Sequence, residues 1–97
     1  MYVEKIYRAG TVPYLIDENG NVEYLFQIVS DKRWAGPDPQ ISKGRMDDGE
    51  TPATTALREA EEELGLVAYN IKFETFAELG VRLGRTHFFY LEVYKDR

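Results

Sequence analysis

GRMDDGETPATTALREAEEELGL, residues Gly44 to Leu66, is the one strongly periodic segment of this 97-residue chain. Thr51 suits an N-cap, and Pro52 suits the first helical position because proline lacks an amide hydrogen that would go unused there. Ala53 to Leu64 continues as helix, and Gly65 ends it in the left-handed conformation that glycine takes most readily. At about 100° per residue, Glu59, Glu62 and Glu63 fall within one arc of about 100°, with Thr55 among them and Arg58 beside them. Ala53, Ala56, Leu57, Ala60 and Leu64 form an apolar stripe that packs onto a sheet, and Glu61 lies apart. Carboxylates three and four residues apart repel one another. Either this face is simply solvated, as most glutamate-rich helices are, or a cation offsets the repulsion. Hard divalent cations prefer oxygen ligands, and Mg²⁺ is typically held by one or two carboxylates plus substrate phosphates.

The charge of the whole chain points to the same segment. Seven acids and two bases lie between Gly44 and Leu66, a net of −5 that equals the formal charge of the protein, while the remaining residues balance. Such a chain is a poor sequence-independent binder of nucleic acid or anionic lipid. The 43% hydrophobic content over 97 residues supports one domain, 1–97. No apolar run of membrane-spanning length and no secretory leader is present, so a cytoplasmic location is expected. With no cysteine and only His87 as a histidine, thiolate zinc chemistry and thiol nucleophiles are excluded.

Gly44, Glu50, Arg58, Glu59, Glu62, Glu63 and Gly65 stand at the spacing G-x5-E-x7-R-E-x2-E-E-x-G. Seven fixed identities at residue frequencies of roughly 5–7% coincide by chance about once in 10⁹ starting positions. This pattern is the Nudix box, and the chain resembles the MutT-like Nudix hydrolase family across it. The resemblance implies an α/β fold, an α/β/α sandwich with a mixed sheet, and an enzyme that uses Mg²⁺, or Mn²⁺ as a substitute. It implies hydrolysis of the pyrophosphate bond of a nucleoside diphosphate linked to another moiety. Matched residue by residue, Glu62, Glu63 and the backbone carbonyl of Lys43 would hold the metal. Glu59 would be a further ligand or the base that activates water, Arg58 would orient the carboxylates and Glu50 would support the site. Gly44 and Gly65 would shape the loop and end the helix. The family usually carries a larger aliphatic residue where Ala60 stands, a change that thins core packing without touching a ligand.

The Ser42-Lys43-Gly44 lead-in resembles the Pro-Lys-Gly of the dinucleoside-polyphosphate, RNA-cap and diphosphoinositol branch. A dinucleoside polyphosphate or a capped or 5′-polyphosphate nucleotide is therefore the expected substrate, with Lys43 and Gly44 beside its phosphates. The competing reading is a truncated, catalytically weak Nudix fold that binds a nucleotide or a protein. Family members usually continue through another strand and a C-terminal helix that this chain does not show. In many of them a late glutamate completes the site; here only Glu92 and Asp96 are available, as that residue or as solvated strand-end charges.

Around the box the chain reads as strands. Tyr2 to Ile16 is rich in Val, Ile, Tyr and Thr, Asp17 to Asn21 contains the Asn-Gly hairpin signal, and Val22 to Val29 is the expected return strand with Val22, Tyr24, Phe26 and Ile28 on one apolar face. Ser30 to Gln40, with Gly36, Pro37 and Pro39 among charged residues, reads as a loop. There Trp34 either covers the core edge or stacks on a base. Ile71 to Leu79 and Thr86 to Tyr94 are expected as strands around a turn at Gly80 to Arg85, whose Arg82 and Arg85 are turn charges or phosphate contacts. His87 is expected to be a packed or edge histidine. Because one helix covers only one sheet face, the other face is expected to be buried in a homodimer, or beneath Tyr2 to Tyr7 in a monomer.

Overall fold

The computed structural model describes residues 6–30 and 37–97, with side chains left aside at 29, 30, 37, 38 and 80–83. Its centre is a mixed sheet in which β1 (Arg8–Ile16) runs parallel to β7 (Thr86–Val93) and antiparallel to every other neighbour. The order is β2-β1-β7-β6, and β5 (Ser42–Arg45) shares the outer edge of β1 with β2 (Val22–Tyr24). On that edge Ile16 to Tyr14 face Val22 to Tyr24, whereas Thr11 to Arg8 face Ser42 to Arg45. The long β6 (Ile71–Leu83) closes the other side against β7.

Alternation along the strands sorts their side chains into two layers. Ala9, Thr11 and Pro13 of β1 and Phe89, Leu91 and Val93 of β7 are buried on the face beneath α1 (Pro52–Leu64). Ala56 and Ala60 of the helix are fully buried there, in clusters with Ala9 and Phe89 and with Leu66, Ile71, Leu91 and Val93. Phe76 stacks on Phe89 at 4.9 Å between ring centroids. The small side chain of Ala60 is thus a close-approach point between helix and sheet. The helix ends are built as expected: the Thr51 hydroxyl accepts from the Thr54 N–H at 3.2 Å, and Gly65 has φ of 72°.

Several expectations are corrected. The return strand over Val22–Val29 is split, because Leu25 N–H bonds to the Pro13 carbonyl but Pro13 has no N–H to give back, and beyond it the β1 edge is taken by β5. Gln27–Ser30 instead forms β3, which pairs with β4 (Pro37–Gln40) in a separate two-stranded ribbon. Val22, Tyr24, Phe26 and Ile28 are all exposed rather than a core face. The Ser30–Gln40 loop is therefore partly strand; its residues 31–36, including Trp34, lie outside the described residues, as do residues 2–5 of the first expected strand. β6 runs past Leu79 to Leu83, its register shifts absorbing the extra length, and only Gly84 and Arg85 make the turn. Arg82 is accordingly a strand position opposite His87 rather than a turn residue. His87 is buried and stacked on Phe89 at 4.7 Å, in keeping with a packed histidine.

α1 is the sole α-helix among the described residues, and a 3₁₀ turn at Ala68–Asn70 leads into β6. The second face of the sheet consequently exposes Val22, Tyr24, Leu79 and Tyr90. No helix among the described residues is long and apolar enough to cross a membrane.

Candidate active site

α1 lies across β1 and β5, so the outward-turned carboxylates of its last two turns meet the edge strand β5. Gly44 pairs with Ala9 and Ser42 with Thr11, which places both on the helix-facing side of β5. Gly44 lies against Glu59: a Cβ built there would stand 2.1 Å from the Glu59 carboxylate carbon. Glycine is required by this close approach and not by any unusual backbone angle. Ser42, fully buried, donates its hydroxyl to one Glu63 oxygen at 3.0 Å, and the Gln27 carboxamide donates to the other.

Arg58 ties the loop to the helix. Its Nε donates to Glu50 Oε2 at 2.8 Å and its Nη2 to Glu50 Oε1 at 3.0 Å, a two-pronged pairing that fixes the plane of both groups. Nη1 donates to Glu59 Oε1 at 2.9 Å and reaches both Glu62 oxygens at 3.3 Å, while Nη2 also donates to the Arg45 carbonyl at 2.9 Å. Glu50 accepts further hydrogen bonds from the Asp47 N–H and the Thr55 hydroxyl, each at 2.8 Å. The Arg58 guanidinium, with the Asp47 amide, holds the Glu50 carboxyl down to about 2. Glu59 moves the opposite way: burial raises its pKa, Arg58 works against that, and the neighbouring Glu63 and Glu62 add to the rise. Two box glutamates beside one arginine thus have opposed proton affinities.

These placements agree with the positions expected for Glu50, Arg58, Glu59, Glu62 and Glu63, which one arginine and one edge strand bring together. Lys43 sits between the two β5 residues that touch Glu63 and Glu59, but its side chain faces the other side of the sheet, beside Phe88. Glu92 is ion-paired with Lys72 and stands on the face away from α1, and Asp96 is exposed beyond β7. The backbone of Arg85 accepts from the N–H groups of Tyr7 and Arg8, and its guanidinium lies over the Tyr7 ring. Ser42, Gln27 and Thr55 are contacts that the sequence reading assigns no role. For Ser42 the signal is there, since a strand through Gly44 puts the residue two before it on the same face; nothing local marks Gln27.

Among the described residues no three acidic or imidazole side chains are gathered into a ready-made cage. The donor set nevertheless fits a Mg²⁺-type ion, which takes few protein oxygens and completes its shell from water and substrate phosphates. All the donors are oxygens, and the glycine at position 44 leaves Glu59 space that a Cβ would fill.

An edge-strand loop and helix carrying arginine-bridged carboxylates on a mixed sheet define a Nudix-type α/β protein. The NUDIX domain model matches residues 7–96, and the chain belongs to that family. The RNA pyrophosphohydrolase of Rhodospirillum rubrum is 36% identical over 77 residues, which cover 79% of this chain and 44% of that protein. The chain therefore spans less than half the length of this curated relative. Among solved structures, the C. elegans Ap4A hydrolase superposes with a TM-score of 0.62 at 21% identity, over 97% of this chain and 73% of that one. The Nudix hydrolase RenU of M. smegmatis gives 0.63 at 21% identity, over 95% and 62%. At such identities these two likenesses concern the fold.

Proposed function

We propose that this chain is a divalent-metal-dependent pyrophosphohydrolase acting on a dinucleoside polyphosphate or a capped or 5′-polyphosphate nucleotide. The observation that carries this reading is the Arg58 clamp, which joins Glu50, Glu59 and Glu62 while Ser42 and Gln27 hold Glu63. A solvated acidic face has no use for that many aligned donors. The Ser42-Lys43-Gly44 lead-in and the similarity to the R. rubrum RNA pyrophosphohydrolase support the substrate class.

In this reading Glu62, Glu63 and the Lys43 carbonyl hold Mg²⁺ or Mn²⁺, with Glu59 as a further ligand or as the base. The ion, when bound, neutralises the pyrophosphate and acidifies an attacking water. The water oxygen attacks one phosphorus as the bridging P–O bond breaks. Glu59, whose proton affinity burial raises, is suited to accept the water proton, since a base works best with a pKa close to the operating pH. Glu50 stays ionised and keeps Arg58 in place, and Arg58 keeps Glu59 and Glu62 from turning away. Gly44 gives the carboxylate its space, and Gly44, Arg82, Arg85 and Trp34 are the proposed substrate contacts, together with the backbone of Lys43, whose side chain faces the other side of the sheet.

We further propose one cytoplasmic domain, 1–97, that forms a homodimer through the uncovered sheet face. There Val12, Tyr14, Val22, Tyr24, Leu79 and Tyr90 surround an apolar depression of about 260 Å³. The reaction is tested by incubating the protein and Mg²⁺ with dinucleoside polyphosphates, nucleoside triphosphates, ADP-ribose, nucleotide sugars and triphosphorylated RNA, with products identified by mass. Cleavage at a pyrophosphate bond, fastest for substrates with two nucleosides or a cap, supports the proposal. Binding without turnover across the panel would favour the catalytically weak binding module instead.

A further inference from the structure

Asn19 and Gly20, at the tip of the β1–β2 hairpin, are the sole Asn-Gly pair of the chain. The turn is tied from inside. Asp17 N–H bonds to the Asn21 carbonyl at 2.9 Å and Gly20 N–H to the Asp17 carbonyl at 3.0 Å, while the Asp17 carboxylate accepts from the N–H groups of Asn19 and Asn21. These bonds engage Asn19 only through its backbone. Its carboxamide has no hydrogen bond among the described residues, and both Asn19 and Gly20 are exposed.

The other two asparagines are built differently. The Asn21 carboxamide donates to the Asp17 carboxylate at 3.2 Å, and the Asn70 carboxamide oxygen accepts from Val67 N–H at 2.9 Å. Each is followed by a β-branched residue, Val22 or Ile71, whose branch crowds the backbone nitrogen beside it. Gly20 has no side chain, and the place a Cβ would take has no atom within 4 Å. Its nitrogen can therefore close a five-membered ring on the carboxamide carbon of Asn19 without a steric barrier, once the bond to the Asp17 carbonyl opens. That opening costs little, because β2 is three residues long, exposed throughout, and lies at the end of the sheet.

We propose that Asn19 is a site of spontaneous covalent modification, converting to aspartate and isoaspartate through a cyclic imide. Hydroxide removes the Gly20 amide proton, and the nitrogen attacks Asn19 Cγ. The new C–N bond forms as the side-chain nitrogen leaves as ammonia, taking a proton from water and regenerating hydroxide. Water, the one reagent consumed, then opens the ring. Attack at Cγ breaks its bond to the Gly20 nitrogen and leaves aspartate; attack at the Asn19 backbone carbonyl breaks the original peptide bond and leaves isoaspartate, with the chain running through Cγ. Nothing is oxidised or reduced. Either product adds a negative charge beside Asp17 and Glu18. Isoaspartate also lengthens by one carbon the turn that sets Ile16 opposite Val22 and Tyr14 opposite Tyr24, and turn length fixes hairpin register. It should loosen β2, beyond which Leu25 packs on the core and Gln27 holds Glu63.

The test holds the full chain in warm, mildly alkaline buffer and follows its peptides by mass and fragmentation. Asn19 should gain about one dalton at least ten-fold faster than Asn21 or Asn70, with a product that accepts a methyl group from an isoaspartyl methyltransferase. Asp48 also precedes a glycine, but its isomerisation leaves the mass unchanged, so the gain reports asparagine alone. Asn19→Gln should lose the gain at this position. The aged, isoaspartate-rich chain should melt below the fresh one, whereas freshly made Asn19→Asp, which has the charge without the extra carbon, should melt close to the fresh wild type. An intact Asn19, or conversion of Asn21 or Asn70 at an equal rate, would overturn the site. An aged chain that melts with the fresh one, or Asn19→Asp melting as low as the aged chain, would overturn the consequence for the hairpin. No arm uses Mg²⁺ or a nucleotide, so the outcome is independent of the hydrolytic reading.

Discussion

Replacing Gly44 with alanine should separate stability from activity. The added Cβ would lie 2.1 Å from the Glu59 carboxylate carbon, where ordinary contact begins at 3.4 Å, so the carboxylate must retreat by about 1.3 Å. The obstructing atoms are the end of a flexible side chain, and alanine in a strand interior regains roughly 0.5–1 kcal/mol over glycine. The fold should therefore melt within a few degrees of the wild type. Chemistry should suffer far more, because a misplacement of about 1 Å in a catalytic group costs on the order of 10²-fold in rate. Gly10→Ala is the matched control: its Cβ would stand 2.2 Å from the Ser42 carbonyl oxygen, which is backbone, so it should lower the melting temperature markedly. Melting curves and steady-state turnover with Mg²⁺ on both variants make the comparison. Wild-type turnover in Gly44→Ala, or a loss of stability as large as that in Gly10→Ala, would refute the reasoning.

Ser42→Ala removes one of the two donors that hold Glu63. The Mg²⁺ concentration for half-maximal activity should rise by about 10-fold or more, the usual range for such supporting contacts; an unchanged Mg²⁺ curve would show that the hydroxyl does not position Glu63. Glu50 has a folded-state pKa lowered from 4.5 to about 2, so its contribution to stability is complete above pH 4.5 and is lost as the pH falls toward 2. Melting temperature between pH 5 and pH 2 should thus fall more steeply for the wild type than for Glu50→Gln, and parallel profiles would remove Glu50 from its supporting role. Sedimentation equilibrium at micromolar concentration should show a dimer, and Tyr24→Glu on the exposed face should shift it to monomer; a single species of about the 11.2 kDa chain mass throughout would rule the dimer out.

The helix and the clustering of its carboxylates were legible because they are local. Thr51, Pro52 and Gly65 mark its ends, and the period of the glutamates places them on one face, all within a segment whose contacts repeat every three or four residues. The hairpin at Asp17 to Asn21 is local too: the Asp17 carboxylate accepts from the N–H groups of Asn19 and Asn21, and Gly20 has φ of 84°. What escaped the sequence is long-range. Nothing in Val22–Val29 says that β5 already occupies the next part of the β1 edge, so the split between β2 and β3 could not be read from that segment. The same applies to Gln27 reaching Glu63 across 36 positions. Lys43 precedes the box in the sequence, yet which sheet face its side chain takes depends on pairing with Gly10.

The most direct measurement is turnover of a dinucleoside polyphosphate by the full chain with Mg²⁺, with excess EDTA, and in Glu62→Gln and Glu63→Gln. Each substitution should lower turnover by on the order of 10²-fold or more, the scale seen when a principal electrostatic group is removed from an active site. EDTA should abolish activity and added Mg²⁺ or Mn²⁺ should restore it, with products that show cleavage within the phosphate chain. Full turnover in EDTA, or wild-type turnover in both glutamine variants, would contradict the assignment of this helix as the metal-dependent catalytic element.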